Sequence, residues 1–185
     1  ERGHAKATWI RIVEQPETVL VLIVHDTSVF SFARSMRVPG LGTIGSLANL
    51  QGMIVHSGFA VSEQGLPLGV VSQDVWARNP SEFGKKHRRQ QRRIEEKESY
   101  KWVRTLKAVE AEKGERKREI VFVGDKESDL YDLFAAPRKS ETHLLVRASG
   151  NRRVGMEKQP LIEHLEKCRP AGQIRIDLSR TPERR

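Results

Sequence analysis

Two aspartates, each closing an apolar run, are the residues of this chain best suited to chemistry. Residues 19–26 read VLVLIVHD and residues 119–125 read EIVFVGD, so the runs end on Asp26 and Asp125. Unbroken β-branched and apolar residues suit strands buried on both faces, as parallel strands beneath helices are. As parallel neighbours in one sheet, their backbones would lie about 4.8 Å apart. Asp26 and Asp125 would then emerge side by side at the carboxyl end of the sheet, where open α/β sheets place their ligands. Carboxylates that close repel each other unless a cation sits between them. The pair is therefore expected to hold a hard divalent metal.

Size and composition set the frame for such a site. A chain of 185 residues is enough for one domain, or one domain and part of another. Charged residues make up 31% and hydrophobic ones 37%, which is a soluble globular composition rather than a membrane or disordered one. No apolar run approaches the roughly 20 residues needed to span a bilayer. The opening ERGHAKATWIRI has no signal-peptide core and no initiator Met, so the chain is expected to start inside a longer protein. Cys168, the single cysteine, rules out an internal disulfide and fits a reducing compartment. The net charge of +9, from 33 Lys and Arg against 24 Asp and Glu, makes nucleic acid the first partner to expect, ahead of an anionic membrane.

The elements that must position the aspartates follow along the chain. Residues 1–18 read as an arm or linker, with Pro16 breaking any helix before the first strand. The glycines Gly40, Gly42 and Gly45 after Asp26 are too loosely spaced for a phosphate-binding turn and read as loop. Residues 52–62 and 66–76 are strands joined by a hairpin-length turn at residues 63–65, completing an antiparallel meander with residues 19–25. His56 lies within the second strand, where a lone histidine is more often structural than a metal ligand. The densest basic run, residues 85–93, holds Lys85, Lys86, Arg88, Arg89, Arg92 and Arg93. It leads into a helix over 92–113 carrying Ile94, Trp102, Val103, Leu106 and Val109 at helical spacing and ended by Gly114. Glu95, Glu96 and Glu98 follow the run directly, so it reads either as a solvated helix start or as a phosphate-contacting surface. The strand 119–124, a short helix over 127–134 and a strand at 143–147 complete a domain expected over 19–149. The order of strands and helices is that of a ribonuclease-H-like domain, an α/β fold with a mixed five-stranded sheet flanked by helices. From 150 to 185 the character changes, with a helix at 160–168, a strand alternating over 172–178 and the expected start of a β-rich insertion subdomain, cut short.

Four collinear stretches resemble the bacterial DDE transposases, in the cut-and-paste branch grouped as insertion sequence four and transposon five. HDTS, with Asp26, looks like the first catalytic aspartate. VHSGFAV at 55–61 and VSQDVWAR at 71–78 look like the next two strands, and EEKESYKW at 95–102 is similar to the family's helix start. VGDKESDLYDLF at 123–134 looks like the segment with the second aspartate, Asp125, and HLLVR ends in Arg147 where the family places a DNA-contacting arginine. The resemblance covers 19–147 and implies metal-dependent nicking and strand transfer at transposon ends, with two Mg²⁺ or Mn²⁺ ions held by Asp26 and Asp125. It further implies DNA contacts from Lys101 and Arg147 beside the basic run, a homodimer on paired DNA ends, no membrane, and a cytoplasmic, nucleoid-associated bacterial setting. The family's third carboxylate, a glutamate in a Tyr, Arg, Glu and Lys signature, has no counterpart. Glu163 and Glu166 come too soon after Arg147 to follow a β-rich insertion, so this chain alone is expected to fold without cutting DNA.

Two other readings compete. VFVGDKESD also fits a haloacid-dehalogenase phosphatase, but that class needs an aspartate two residues after its nucleophile, where Ser28 stands after Asp26. A domesticated transposase that binds DNA without cutting it is the other, and the intact pair Asp26 and Asp125 argues against it.

Overall fold

The computed structural model describes residues 2–15, 18–32, 38–45, 50–82, 92–113 and 118–175, and the chain divides into two compact units, 1–149 and 150–185. In the first unit β1 (Leu20–Phe32) pairs antiparallel with β3 (Gln51–Ser62), which pairs antiparallel with β4 (Pro67–Trp76). On the other edge of β1 lie two parallel strands, β5 (Glu119–Gly124) and β6 (Thr142–Val146). The sheet is thus mixed, in the order β4-β3-β1-β5-β6. A sixth strand, β2 (Gly42–Thr43), pairs with the start of β3. It falls in the stretch expected to be loop, because two residues are too few to leave a periodic signal. The β3–β4 turn closes with Gly65 at φ 84°, a conformation that favours glycine.

The chain crosses between β4 and β5 through helix α2 (Tyr100–Lys113), and between β5 and β6 through helix α3 (Tyr131–Ala135). Trp102, Leu106 and Val109 recur at three- and four-residue spacing, so one stripe of α2 faces the sheet. Trp102, Val103 and Leu106 cluster with Phe122, Leu133 and Ala136, while Val109 joins Val21, Ile23, Ala60, Leu68, Val71 and Ile120. Each such aliphatic or aromatic side chain contributes about 1.5–3 kcal/mol when fully buried.

Three expectations need correction here. Residues 2–14 form helix α1 (Arg2–Glu14) rather than an arm, and Trp9 and Ile12 are buried in the second of those clusters. Ile10 and Val13 stand beside Trp9 and Ile12 but stay exposed, so the apolar cluster does not by itself mark a face; the sheet supplies the surface that makes Trp9 and Ile12 core. The helix after the basic run starts at Tyr100, and Ile94 belongs to a separate 3₁₀ turn, Ile94–Glu96. Among the described residues the strands are covered on one face, not two. Burial alternates along β3 and β5, and Val24 at 41% and Leu145 at 59% exposure lie on the face away from α1, α2 and α3. Aliphatic runs look alike whether one face is covered or both.

In the second unit β7 (Arg153–Val154) and β8 (Gln159–Pro160) form a small hairpin that leads into helix α4 (Leu161–Lys167). Asn151 accepts from the backbone N–H of Ile162 at 2.9 Å and so caps the helix start. Residues 172–175 are not in a strand, and 176–178 lie outside the described residues.

Candidate active site

The parallel register of β1 and β5 aligns the two aspartates. Leu20 pairs with Glu119 and Val24 with Val123, so the same offset carried two residues further matches Asp26 to Asp125. β5 and β6 pair Gly124 with Val146, and the backbone N–H of Arg147 donates to the Gly124 carbonyl at 3.1 Å, which sets Arg147 beside Asp125. Residues two apart on a strand share a face. Val24 and Asp26, Val123 and Leu145 therefore lie on the face away from the helices, while Asp125 and Arg147 come directly after the carboxyl ends of β5 and β6.

Contrary to the expectation, Asp26 does not end its strand. β1 runs six residues beyond it, because Thr27, Val29, Phe30 and Phe32 suit a strand and pair with β3 as far as Gln51. Asp125 does terminate β5. Its carboxylate accepts from the Glu127 backbone N–H at 2.9 Å and caps the 3₁₀ turn Lys126–Ser128. Asp26 Oδ1 accepts from the Thr27 N–H at 2.7 Å. Both side chains are exposed, and the second oxygen of each makes no hydrogen bond among the described residues. Two exposed carboxylates in register suit Mg²⁺, which takes one or two protein carboxylates and fills its octahedron with water or substrate phosphate. Among the described residues no group of three or more His, Cys, Asp or Glu side chains gathers that could hold a metal ion. Glu163 and Glu166 are exposed on α4 of the second unit.

The ground beneath Asp26 is a pair of buried histidines, one of them unnoticed in the sequence. His25 and His56 sit on the helix side of the sheet with ring centroids 5.6 Å apart. His25 stacks on Phe122 at 3.8 Å, and His56 meets Trp102 edge-on at 4.5 Å. His56 Nδ1 shares a hydrogen bond of 2.9 Å with Thr27 Oγ1, whereas neither nitrogen of His25 has a partner among the described residues. Burial disfavours the imidazolium and takes the His25 pKa down to about 3, aided by His56. His56 falls to about 4, again chiefly from burial, with the Lys101 charge adding to it and Asp74 opposing. His56 is thus a core residue. His25 could have been found as the inward neighbour of Asp26 on a period of two.

Among the expected DNA contacts, Lys85, Lys86, Arg88 and Arg89 lie outside the described residues. Arg93 is exposed and Arg92 half-buried. The segment that contains the basic run is closed at its base, because Arg78 after β4 makes a bidentate pair with Glu98 before α2, with Nη2 to Oε2 at 2.7 Å. Lys101 is buried, its amine 3.3 Å from Glu127 and 5.5 Å above the Trp102 ring, so it ties α2 to the turn after Asp125. The Arg147 guanidinium is exposed and makes no hydrogen bond or ion pair among the described residues.

No helix among the described residues is long and apolar enough to cross a membrane. No protein-family model matches the chain, and no curated protein matches it either.

Proposed function

We propose that the chain is the catalytic core of a DNA transposase of the insertion-sequence-four and transposon-five group, built on a ribonuclease-H-like sheet and working as a dimer on paired DNA ends in a bacterial cytoplasm. The observation that carries the reading is the shared register of Asp26 and Asp125 on neighbouring parallel strands, on one exposed face. The sheet order supports it, with three antiparallel strands followed by two parallel ones beside β1. So does the net charge of +9.

Asp26 and Asp125 would hold Mg²⁺ or Mn²⁺. The chemistry such ions supply is charge stabilisation on the attacking and leaving oxygens of an in-line phosphoryl displacement. The chain's own part is positioning. β1 and β5 bring the two aspartates to matching positions on neighbouring parallel strands, and Arg147 would offer a cation to a phosphate beside them. The basic segment over 85–93 supplies sequence-independent attraction to the DNA backbone.

A titration with Mn²⁺ tests the site. Mn²⁺ should raise the melting temperature of the wild-type chain, since a ligand that binds only the folded state stabilises it. Asp26→Asn and Asp125→Asn should each lose that response. In metal-free buffer both variants should melt at or above the wild-type temperature, because one of two repelling charges is gone. An undiminished Mn²⁺ response in both variants would remove the metal site, while DNA binding with no Mn²⁺ response in the wild type would leave a DNA-binding protein that does not cut.

A second test concerns the basic run. Changing Arg88, Arg89, Arg92 and Arg93 together to Ala should flatten the dependence of log K on log salt by about 0.9 for each phosphate that is no longer neutralised. An unaltered slope would make the run a solvated surface.

A further inference from the structure

The turn that begins with Asp125 ends in another aspartate, Asp129, which the metal reading leaves without a task. We propose that Asp129 is a positioning residue that acts through Ser149 to hold Arg147 as a phosphate contact on the aspartate face. The proposal rests on the DNA reading above and deepens it by assigning how the arginine of that site is fixed.

The geometry builds the clamp in three steps. The turn itself is tight, since the Asp125 carbonyl accepts from the Ser128 backbone N–H at 3.0 Å and from the Ser128 hydroxyl at 2.6 Å. The turn has no slack at its start either, because a Cβ on Gly124 would lie 2.3 Å from Ser128 Oγ. Asp129 is therefore delivered at a fixed offset from Asp125. Its Oδ2 then accepts two hydrogen bonds from one residue, from the Ser149 backbone N–H at 2.7 Å and from the Ser149 hydroxyl at 2.8 Å. Both are charge-assisted, the stronger class of hydrogen bond. On the other side of Arg147, Val146 is held in the β6 ladder and the Arg147 N–H is bonded to Gly124.

Arg147 is thereby fixed at its own backbone and again two residues later, with both anchors coming from the segment that bears Asp125. The chain past a strand end ordinarily has no ladder to hold it, and a loosely held arginine would lose side-chain and backbone entropy on binding a phosphate. Pinning residue 149 removes the backbone share of that loss beforehand. Arg147 also has no ion pair of its own among the described residues, so its charge is not already committed.

A double-substitution cycle on DNA binding tests this. The probe is a fluorescein-labelled, mixed-sequence DNA duplex, bound to the full chain across a salt series. Arg147→Ala should lower the slope of log K against log salt by about 0.9, the share of one neutralised phosphate. Asp129→Ala should lower it by the same amount, and the double variant should fall no further, since both substitutions act on the same phosphate. Asp129→Asn, whose amide oxygen can still accept both bonds, should restore most of the slope. A merely structural role would shift the melting temperature without this pattern. Should Asp129→Ala fail to fold, Ser149→Pro carries the same comparison, as it removes both donors and leaves the turn untouched. A lowered slope in Arg147→Ala beside a wild-type slope in the folded clamp variant, or additive decreases in the double variant, would overturn the clamp alone. No change in Arg147→Ala would overturn the phosphate reading at Arg147 and the clamp with it.

Discussion

Between pH 7 and pH 5 the chain should lose about 4 kcal/mol of folding stability, a large share of the roughly 5–15 kcal/mol by which domains are stable. The cause is the buried pair His25 and His56, neutral in the folded protein, with pKa values pulled from 6.5 to about 3 and about 4. In the unfolded chain both titrate near 6.5. Below that pH the unfolded state binds two protons that the folded state refuses, so stability is fully present above about 6.5 and drains away as pH falls toward the folded values. Two such groups give a slope of about 2 kcal/mol per pH unit over this range, steepest near pH 5. Urea melts from pH 7.5 to 4.5 measure it. His25→Phe keeps an aromatic ring against Phe122 and removes one titration, so its slope should be about half the wild-type value. A wild-type slope in that variant would mean that His25 is not held neutral.

Replacing Trp102 by Ala should cost about 3–5 kcal/mol, as large-to-small changes of buried aromatic residues do. Trp102 is 1% exposed and joins what would otherwise be separate parts, touching the ring of His56 and packing in the cluster with Phe122, Leu106 and Leu133. Its Cζ3 would lie 3.5 Å from a Cβ on Gly124, the residue before Asp125. The cavity left behind would open beneath both aspartate-bearing strands. Trp102→Phe should lose roughly half as much, since it leaves a ring and a smaller void. The midpoint of urea unfolding should shift while the slope with denaturant stays the same. A loss below about 1 kcal/mol for the alanine variant would show that the site of Trp102 can collapse, and that it does not bind the two strands together.

The strand cores are legible in the sequence, because β-branched runs bounded by turns have few other folds open to them. The strand 119–124 can be read to the residue, and α2 follows from the recurrence of Trp102, Leu106 and Val109, although the basic run before it suggests too early a start. The pairing of Asp26 with Asp125 is an expectation from two similar motifs. A pattern along one strand names which residues share a face, but says nothing of which strand lies beside it or in what register. The register pairs Ile23 with Phe122 and Val21 with Ile120, and that pairing exists only after the chain has crossed back through α2.

Other features have a local signal too weak to decide them. α1 becomes a helix of the core because the sheet offers a place for Trp9 and Ile12. The end of β1 passes six residues beyond Asp26 because β3 extends far enough to pair with it. His25 is legible only through its alternation with Asp26, because a histidine inside an apolar run otherwise reads the same whether it is buried or exposed. The bonds from Asp129 to Ser149 join residues 20 apart in the chain. Residue types and their spacing thus determined the main strands of the sheet and the body of α2, and which carboxylates and cations were available. Neighbours, register and burial were left to the tertiary structure, because they are properties of pairs of segments and a one-dimensional pattern describes only one segment at a time.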